Sequence, residues 1–271
     1  MSTLKKFKLR LTIKEILFVA FILRVLLPIA ALIVTRDVTA FHRYDTASYL
    51  EPARSLLETG QFSSANQPEL FRTPGYPLLL LPGLWLGRGE LVTIALQIFS
   101  SCLTVYLIYK IGLLLFKKEK IAMCCAGLYA VEPLSILWSS IIMTEIVHAT
   151  SLALFLYFIL KYLQNKSLKL LLLAAVTLAA SAYIRPISYY LPFLITALLL
   201  AWTFIKMKGQ KILLVHACIF LVVSMGFTGL WQVRNYLKTG YYGFAAVSSF
   251  NLHCWYGAGV LAAEQGRPVF D

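Results

Sequence analysis

Charged residues are scarce in this sequence. Asp, Glu, Lys and Arg together make up 14% of the 271 residues, whereas an average soluble domain has about a quarter. Acidic residues are the scarcest, with 12 Asp and Glu against 25 Lys and Arg, which gives a formal net charge of +13. Hydrophobic residues reach 59% and the mean hydropathy is +0.75. This composition excludes a disordered chain and indicates a membrane protein with basic loops, rather than a soluble nucleic-acid-binding domain.

Motifs for several common chemistries are also missing. The chain has no Gly-rich phosphate loop, no Walker motif and no Ser-centred nucleophile elbow, so nothing supports nucleotide hydrolysis. Its 4 His show no metal-ligand spacing. Its 5 Cys lie mostly within apolar runs rather than in a disulfide framework. We therefore expect no metal, no cofactor and no nucleic-acid partner.

Long apolar runs dominate what remains. A helix needs about 20 mostly apolar residues to cross a bilayer, and the sequence contains seven such runs. The prediction is an all-α, polytopic transmembrane helical bundle of about seven spans. Their approximate ranges are 15–35, 91–115, 121–140, 146–163, 169–184, 188–205 and 212–231.

Lysines decide the predicted topology. Fifteen basic residues, fourteen of them Lys, lie in the N-terminal segment and in the turns after the second, fourth and sixth runs, where only Glu15 and Glu119 oppose them. These four segments lie on one side of the membrane, because two spans separate each of them from the next. By the positive-inside rule this side is cytoplasmic. We therefore expect a cytoplasmic N-terminus and an extracytoplasmic C-terminal segment.

The charges outside these segments follow another pattern. The remaining basic residues are nine Arg and one Lys, Lys238, and ten carboxylates balance them. A guanidinium presents a planar set of donors that binds phosphate or carboxylate in a bidentate manner. We interpret the Arg-rich outer face as one that handles an anionic group. The alternative is chance combined with the general use of Arg near membrane interfaces.

Two long segments lie on the predicted outer side, a loop over 36–90 and a C-terminal segment over 232–271. Within the loop, a capping residue followed by an apolar face predicts an amphipathic helix on the membrane surface, over about 45–58, that ends at Gly60. Residues 75–86 are apolar but short and contain two prolines. This favours an interfacial or re-entrant piece over an eighth span.

Two carboxylates are candidate catalytic groups. Asp45 follows the first run and could act as a general base toward a hydroxyl or an amine, but it would equally serve as the N-cap of the predicted surface helix. Glu145 lies at the outer end of the fourth run, where an ionisable group is often functional, although the helix dipole alone would also stabilise it. Inside the first run, Arg24 is expected to pair with an acid or to face the bundle interior.

Three arginines are candidate ligands for an anion: Arg72, Arg185 and Arg234. Arg72 lies in the first outer loop, Arg185 ends the fifth run before a proline, and Arg234 follows the seventh run. In the predicted topology all three reach the same boundary layer as Asp45 and Glu145. This predicts one site assembled from five separate positions of the chain. The alternative is that each arginine only snorkels to the membrane interface.

Several short motifs follow one another in a characteristic order. They are Arg43-Tyr44-Asp45 with Tyr49, Phe71-Arg72-Thr73-Pro74-Gly75-Tyr76-Pro77, a segment from Pro133 to Thr144-Glu145, Arg185-Pro186, and Trp231 with Arg234-Asn235-Tyr236. This order resembles that of membrane glycosyltransferases of the GT-C fold. The similarity points to the bacterial relatives of protein O-mannosyltransferases (glycosyltransferase family 39) and to the lipid A aminoarabinose transferases. It covers nearly the whole chain and corresponds to the seven-span N-terminal core of those proteins.

The resemblance implies an activity and residue roles. The implied reaction is the inverting transfer of a hexose or pentose from a polyprenyl-phosphate donor, whose tail lies among the membrane lipids, to a protein, lipid or glycan acceptor at the extracytoplasmic face. It implies Asp45 as the catalytic base, Glu145 as a second acid that shapes the site, and Arg72 as a ligand of the lipid phosphate. Arg185 and Arg234 are expected to help bind that phosphate. The implied location is a bacterial inner membrane.

Residues 1–271 are then expected to form one transmembrane catalytic module, without the C-terminal module of longer family members. Two other functions also fit the sequence, namely a membrane transporter or flippase and a truncated relative without catalytic activity. Against a transporter, the charged groups cluster at one surface rather than at mid-membrane, and no inverted repeat is visible.

Overall fold

The computed structural model describes residues 12–206 and 210–266. The structure is 81% helical, and the strands of the described residues are the two-residue β1 (Ser63–Ser64) and β2 (Gln67–Pro68), which pair antiparallel. The predicted all-α fold is therefore confirmed. Several predicted features lie outside the described residues: the cytoplasmic charges Lys5, Lys6, Lys8, Arg10 and Lys208, and residues 267–271 of the predicted outer segment.

Helices follow one another with short connections. The α-helices are α1 (Ile13–Thr35), α2 (Thr46–Thr59), α3 (Gly75–Trp85), α4 (Gly89–Phe116), α5 (Glu119–Ala130), α6 (Pro133–Ser139), α7 (Glu145–Asn165), α8 (Leu168–Ile184), α9 (Leu191–Lys206), α10 (Lys211–Thr239), α11 (Val247–Phe250) and α12 (Ala258–Glu264). Short 3-10 helices cover Val38–Phe41 and Pro186–Tyr190, and Asn251–Gly257 is π-helical.

The predicted spans correspond to helices of three kinds: helices long enough to cross a membrane, one broken helix and one short helix. By length and composition, five helical stretches of the described chain can cross a membrane: α1, α4, α7, Pro186–Ile205 and α10. The third predicted span is broken, because α5 and α6 meet at an angle of 54° and qualify only as a pair. The fifth, α8, has 17 residues, which corresponds to about 26 Å of helix. A polytopic membrane bundle is therefore confirmed, while the count of seven spans stays a prediction.

Packing centres on two helices. α4 contacts α1, α5 and α7, and α8 lies between α7 and α10. α4 and α5 form a tight hairpin because Gly112 has no side chain, since a Cβ there would lie 2.9 Å from Cα of Ala122. On α8, Ala174 and Ala175 are fully buried. Small residues at helix contacts let backbones approach closely, so α8 can serve as the centre of the α7–α10 half.

The two ends of the bundle differ. The end at which α1 stops and α7 starts carries residues 36–88, and we call it the loop end. The opposite end, the lysine end, carries the described lysines of the turns after α4 and α7. At the loop end, α2 confirms the predicted helix and ends at Gly60, whose φ of 71° suits a residue without a side chain. Its apolar residues Tyr49, Leu50 and Ala53 are buried in the protein, and its position on the membrane surface stays a prediction. α3 has 11 residues and is too short to span a bilayer.

Arg24 of α1 faces the bundle interior, as predicted, and its side chain is fully buried. No acid pairs with it in the described part of the chain. Its guanidinium instead donates to the carbonyl oxygens of Ala130 (2.8 Å) and Tyr129 (3.2 Å) and to the hydroxyls of Ser101 (2.7 Å) and Ser135 (2.8 Å). The carbonyl groups at the end of α5 lose their helical partners at the α5–α6 break. Arg24 of the neighbouring α1 therefore donates hydrogen bonds to the carbonyl groups at the break between α5 and α6.

Arg24→Met is expected to destabilise the fold by about 3 kcal/mol, because it leaves buried carbonyl and hydroxyl groups without donors. The measurement is thermal unfolding of the purified protein in detergent. Arg36→Met is the matched control, since Arg36 is exposed at the end of α1. Equal melting temperatures for the two variants would contradict a structural role of Arg24 at the break.

Candidate functional site

The candidate site forms where two segments are joined at the loop end. The backbone N–H of Ile142 donates to the carbonyl of Phe41 (2.9 Å), and the hydroxyl of Thr46 donates to the carbonyl of Ile142 (3.0 Å). Thr46 is fully buried. These bonds fix the start of α2, with Asp45 before it, against the turn that leads into Glu145 and α7.

Asp45 pairs with Arg72 across this junction. Nη2 of Arg72 lies 3.0 Å from Oδ1 of Asp45, and the Asp45 side chain is 52% exposed. Asp45 occupies the N-cap position of α2, but its carboxylate makes no capping hydrogen bond. The role of a simple N-cap therefore does not explain Asp45. Its carboxylate is free to face solvent on one side and an arginine on the other.

The Arg72 side chain is held by hydrogen bonds and by two aromatic rings. Its Nε donates to Oγ of Ser48 (2.9 Å) and its Nη1 donates to the hydroxyl of Tyr49 (3.0 Å). The guanidinium lies over the rings of Tyr49 and Phe71, 4.4 and 4.8 Å from their centroids. The Glu69 carboxylate accepts from the backbone N–H of Arg72 at 2.7 Å. With its side chain 12% exposed, Arg72 does not snorkel.

Glu145 and Arg185 form a second pair. Nη1 of Arg185 lies 2.8 Å from Oε1 of Glu145, and their side chains are 40% and 24% exposed. Arg185 follows α8 and precedes Pro186, so it stands at the loop end of that helix. Gly75 at the start of α3 packs directly on this position, since a Cβ there would lie 2.6 Å from the carbonyl carbon and oxygen of Tyr183. This close approach brings the Arg72 loop next to Arg185.

Two tyrosines connect the pairs. The rings of Tyr49 and Tyr76 meet edge to face, with centroids 5.2 Å apart, and both side chains are buried. Burial raises the pKa of Tyr49, although the nearby charges of Arg72 and Arg185 act against this rise. Burial raises the pKa of Tyr76 even further, and the charge of Glu145 adds to it. The charges of four predicted residues therefore act on this pair of rings: Asp45, Arg72 and Arg185 on Tyr49, and Glu145 on Tyr76.

Arg234 takes part in neither of the two ion pairs. Its guanidinium donates to the carbonyl oxygens of Glu69 and Phe62, both at 2.8 Å, and lies 4.6 Å from the ring centroid of Trp231. In the part of the chain that the structure describes, it forms no ion pair with Asp45 or Glu145. Arg234 therefore holds the loop that carries Arg72 from the end of α10.

Several residues that contact the site were given no role in it by the sequence analysis. Ser48 and Tyr49 lie three and four residues after Asp45, so the helical period could have placed them beside it. Glu69 gave no signal, because its partners are backbone N–H groups. His148, one turn into α7, forms a hydrogen bond with Ser188 (2.8 Å) and reinforces the contact between α7 and the turn after Arg185.

A metal centre is not formed by the residues described. Over residues 12–206 and 210–266, no three His, Cys, Asp or Glu side chains come close enough to hold a metal ion. What these residues do offer is two arginines, each next to one carboxylate. Guanidinium groups bind phosphate and carboxylate, and a partly exposed carboxylate can accept a proton.

The fold and the site together define a polytopic membrane protein with an arginine-rich site at one end of its bundle. Its sequence matches the model of the dolichyl-phosphate-mannose-protein mannosyltransferase family over residues 72–228, more than half of the chain. The chain belongs to this family and is a membrane glycosyltransferase of the GT-C type. The matched region includes Arg72, Glu145 and Arg185, whereas Asp45 and Arg234 lie outside it. No curated protein and no solved structure matches the chain.

Proposed function

We propose that the chain is a single transmembrane catalytic module that transfers a sugar from a polyprenyl phosphate to an acceptor hydroxyl, with inversion at the anomeric carbon. The observation that carries this proposal is the contact of 3.0 Å between Asp45 and Arg72. It places an exposed carboxylate beside a buried guanidinium at the loop end. This is the arrangement that a base next to a phosphate site requires.

The donor phosphate is proposed to bind to Arg72 and Arg185. Arg185 donates from Nη1 to Glu145 and is 40% exposed, so its other N–H groups can reach an incoming anion. Arg72 contacts Asp45 through Nη2, and a phosphate would compete with Asp45 for this nitrogen. In the free protein, each arginine is neutralised by its carboxylate partner. The negative charge of the bound donor phosphate then displaces Asp45 from Arg72.

Asp45 is proposed as the general base. As the acceptor oxygen attacks the anomeric carbon, its proton passes to the Asp45 carboxylate, and the bond from that carbon to the phosphate oxygen breaks with its electron pair. Polyprenyl phosphate leaves as an anion that the arginines stabilise, so the reaction needs no strong general acid. Asp45 returns the proton to solvent, to which its side chain is 52% exposed.

Glu145 and Arg234 are proposed to position other groups. Glu145 orients Arg185 through the contact of 2.8 Å. The sequence predicts that Arg234 binds the donor phosphate, but its bonds to the carbonyls of Phe62 and Glu69 support a different role. We propose that Arg234 does not contact the phosphate and instead holds the loop that carries Arg72.

A polar groove lies on the face of α2 away from the two ion pairs. A cavity of about 630 Å³ lies between α2 and the β1–β2 hairpin, and its lining includes Glu51, Arg54, Glu58 and Asn66. By the helical period these α2 residues lie on the face opposite Tyr49.

We also propose that the loop end is extracytoplasmic and the lysine end cytoplasmic in a bacterial inner membrane, by the positive-inside rule.

The proposed activity can be tested with the purified chain in lipid nanodiscs. We expect release of polyprenyl phosphate and transfer of the sugar when the donor is polyprenyl-phosphate mannose, and no turnover with a nucleotide-linked mannose. The products are measured by mass spectrometry. A flux assay in sealed vesicles tests the alternative of a transporter. Movement of intact donor across the membrane, without any sugar transfer, would contradict the proposal.

A further inference from the structure

Arg185 lies at a break between two helices. α8 ends at Ile184, and the 3-10 helix over Pro186–Tyr190 begins directly after Arg185. Arg185 itself has an extended backbone, with φ of −139° and ψ of 119°, as is typical of a residue before proline. A continuous helix therefore does not fix the direction of its side chain, and contacts from other elements have to do so.

Two contacts from the first turn of α7 reach this break. Nη1 of Arg185 lies 2.8 Å from Oε1 of Glu145, and Nε2 of His148 lies 2.8 Å from Oγ of Ser188. Glu145 and His148 are one helical turn apart and share a face of α7. Arg185 and Ser188 are also three residues apart, which is one turn of a 3-10 helix. The two pairs therefore join the same two turns of the chain.

The pair of His148 and Ser188 is linked to Arg185 through the backbone. The N–H of Ser188 donates to the carbonyl of Arg185 at 3.2 Å, so a shift of Ser188 also shifts Arg185. Ser188 is 1% exposed. Because its hydroxyl is buried, water cannot readily take the place of the histidine as its partner. The position of Arg185 therefore depends on His148, although the two side chains belong to different pairs.

The two pairs respond differently when the donor binds. A donor phosphate would draw the guanidinium of Arg185 away from Glu145, since the phosphate and the carboxylate are both anions. The bond between His148 and Ser188 does not involve the guanidinium, so it can persist in the complex. We infer that His148 is a positioning residue, which holds Arg185 in place for the donor phosphate through Ser188. This inference rests on the proposed function, in which Arg185 binds that phosphate.

The test is His148→Leu, which removes the hydrogen bond and keeps a side chain of similar size. With polyprenyl-phosphate mannose as the donor, kcat/KM should fall about fivefold, the effect of losing one hydrogen bond. His148→Gln should restore most of this loss, because its amide can bond to the same hydroxyl. Ser188→Ala should show the same loss as His148→Leu, and the double variant should lose no more, since both changes remove one bond.

The decisive measurement combines His148→Leu with Arg185→Ala. Because His148 acts through Arg185, His148→Leu should have no further effect on kcat/KM once the guanidinium is absent. A role in folding alone would lower the melting temperature in both backgrounds and would not depend on Arg185. A fivefold loss of kcat/KM in both backgrounds would therefore contradict the inference, and so would the absence of a loss in the wild-type background.

The other end of α7 offers a matched control. The hydroxyl of Tyr162 forms a hydrogen bond with Nδ1 of His216 in α10 (3.2 Å), and both residues are buried. His216→Leu should lower the melting temperature by about 3 °C, much as His148→Leu does, but leave kcat/KM within about twofold of wild type. An equal loss of kcat/KM in both variants would contradict a specific role of His148.

The two levels of the argument fail in different ways. If wild type transfers mannose and Arg185→Ala lowers kcat/KM, but the effect of His148→Leu does not depend on Arg185, the inference is wrong and the proposed function stands. If wild type transfers no sugar from any polyprenyl-phosphate donor, the proposed function fails, and the inference fails with it.

Discussion

Asp45→Asn is expected to insert and fold like the wild type but to lose sugar transfer almost completely. Removing a general base lowers kcat by about 10²- to 10⁴-fold. The KM for the donor should stay the same or fall, because the neutral amide no longer competes with phosphate for Arg72, which lies 3.0 Å from Asp45. The measurement is steady-state transfer from polyprenyl-phosphate mannose, with donor concentration varied. A loss in kcat without a rise in KM identifies the base rather than a binding group.

Asp37→Asn is the matched control for this prediction. Asp37 lies in the same loop and accepts from the backbone N–H of Thr39 at 2.9 Å, and hydrogen bonds from Thr39 lower its pKa. Asn caps a helix about as well as Asp, so activity should stay within about twofold of wild type. If Asp45→Asn retains more than a tenth of the wild-type kcat, Asp45 is not the base.

The sequence alone predicted features that depend on local pattern or on charge. The helix ending at Gly60 could be predicted because its apolar face and its end are local features of the sequence, although the expected capping hydrogen bond of Asp45 is not formed. Arg24 was expected to face the interior because a charge inside an apolar run must avoid lipid. Asp45 and Glu145 could be singled out because each follows or begins an apolar run, where carboxylates are rare.

The pairings could not be predicted, because they depend on how distant elements pack. Arg72 meets Asp45 because the segment before α3 packs on α2, and Arg185 meets Glu145 because α8 packs on α7. The close approach of Gly75 to Tyr183 then brings the two pairs next to each other. The same limit applies to the break between α5 and α6, where the carbonyls of α5 find their donor in α1. Arg234 looked like another anion ligand in the sequence. Its actual partners are carbonyl groups, which no residue pattern reveals.

Arg72→Ala is expected to lower kcat/KM for the donor by about 10²- to 10³-fold, because the guanidinium stabilises negative charge that grows on the phosphate in the transition state. Arg72→Lys should recover only part of this loss, since an ammonium group restores the charge but not the planar set of donors that now reaches Asp45, Ser48 and Tyr49. The measurement is the dependence of transfer on donor concentration for the three proteins.

The matched control is Arg36→Ala, which removes the same charge from an exposed position of the same loop. Its effect should stay below about threefold, because a surface charge acts on the donor only through a screened field. Arg185→Ala should fall between the two, since Arg185 is more exposed than Arg72 and has fewer contacts. Equal and small losses for all three variants would mean that these arginines only anchor the protein at the membrane interface. A loss confined to Arg72 and Arg185 means that the two ion pairs of the free protein become the phosphate site of the donor complex.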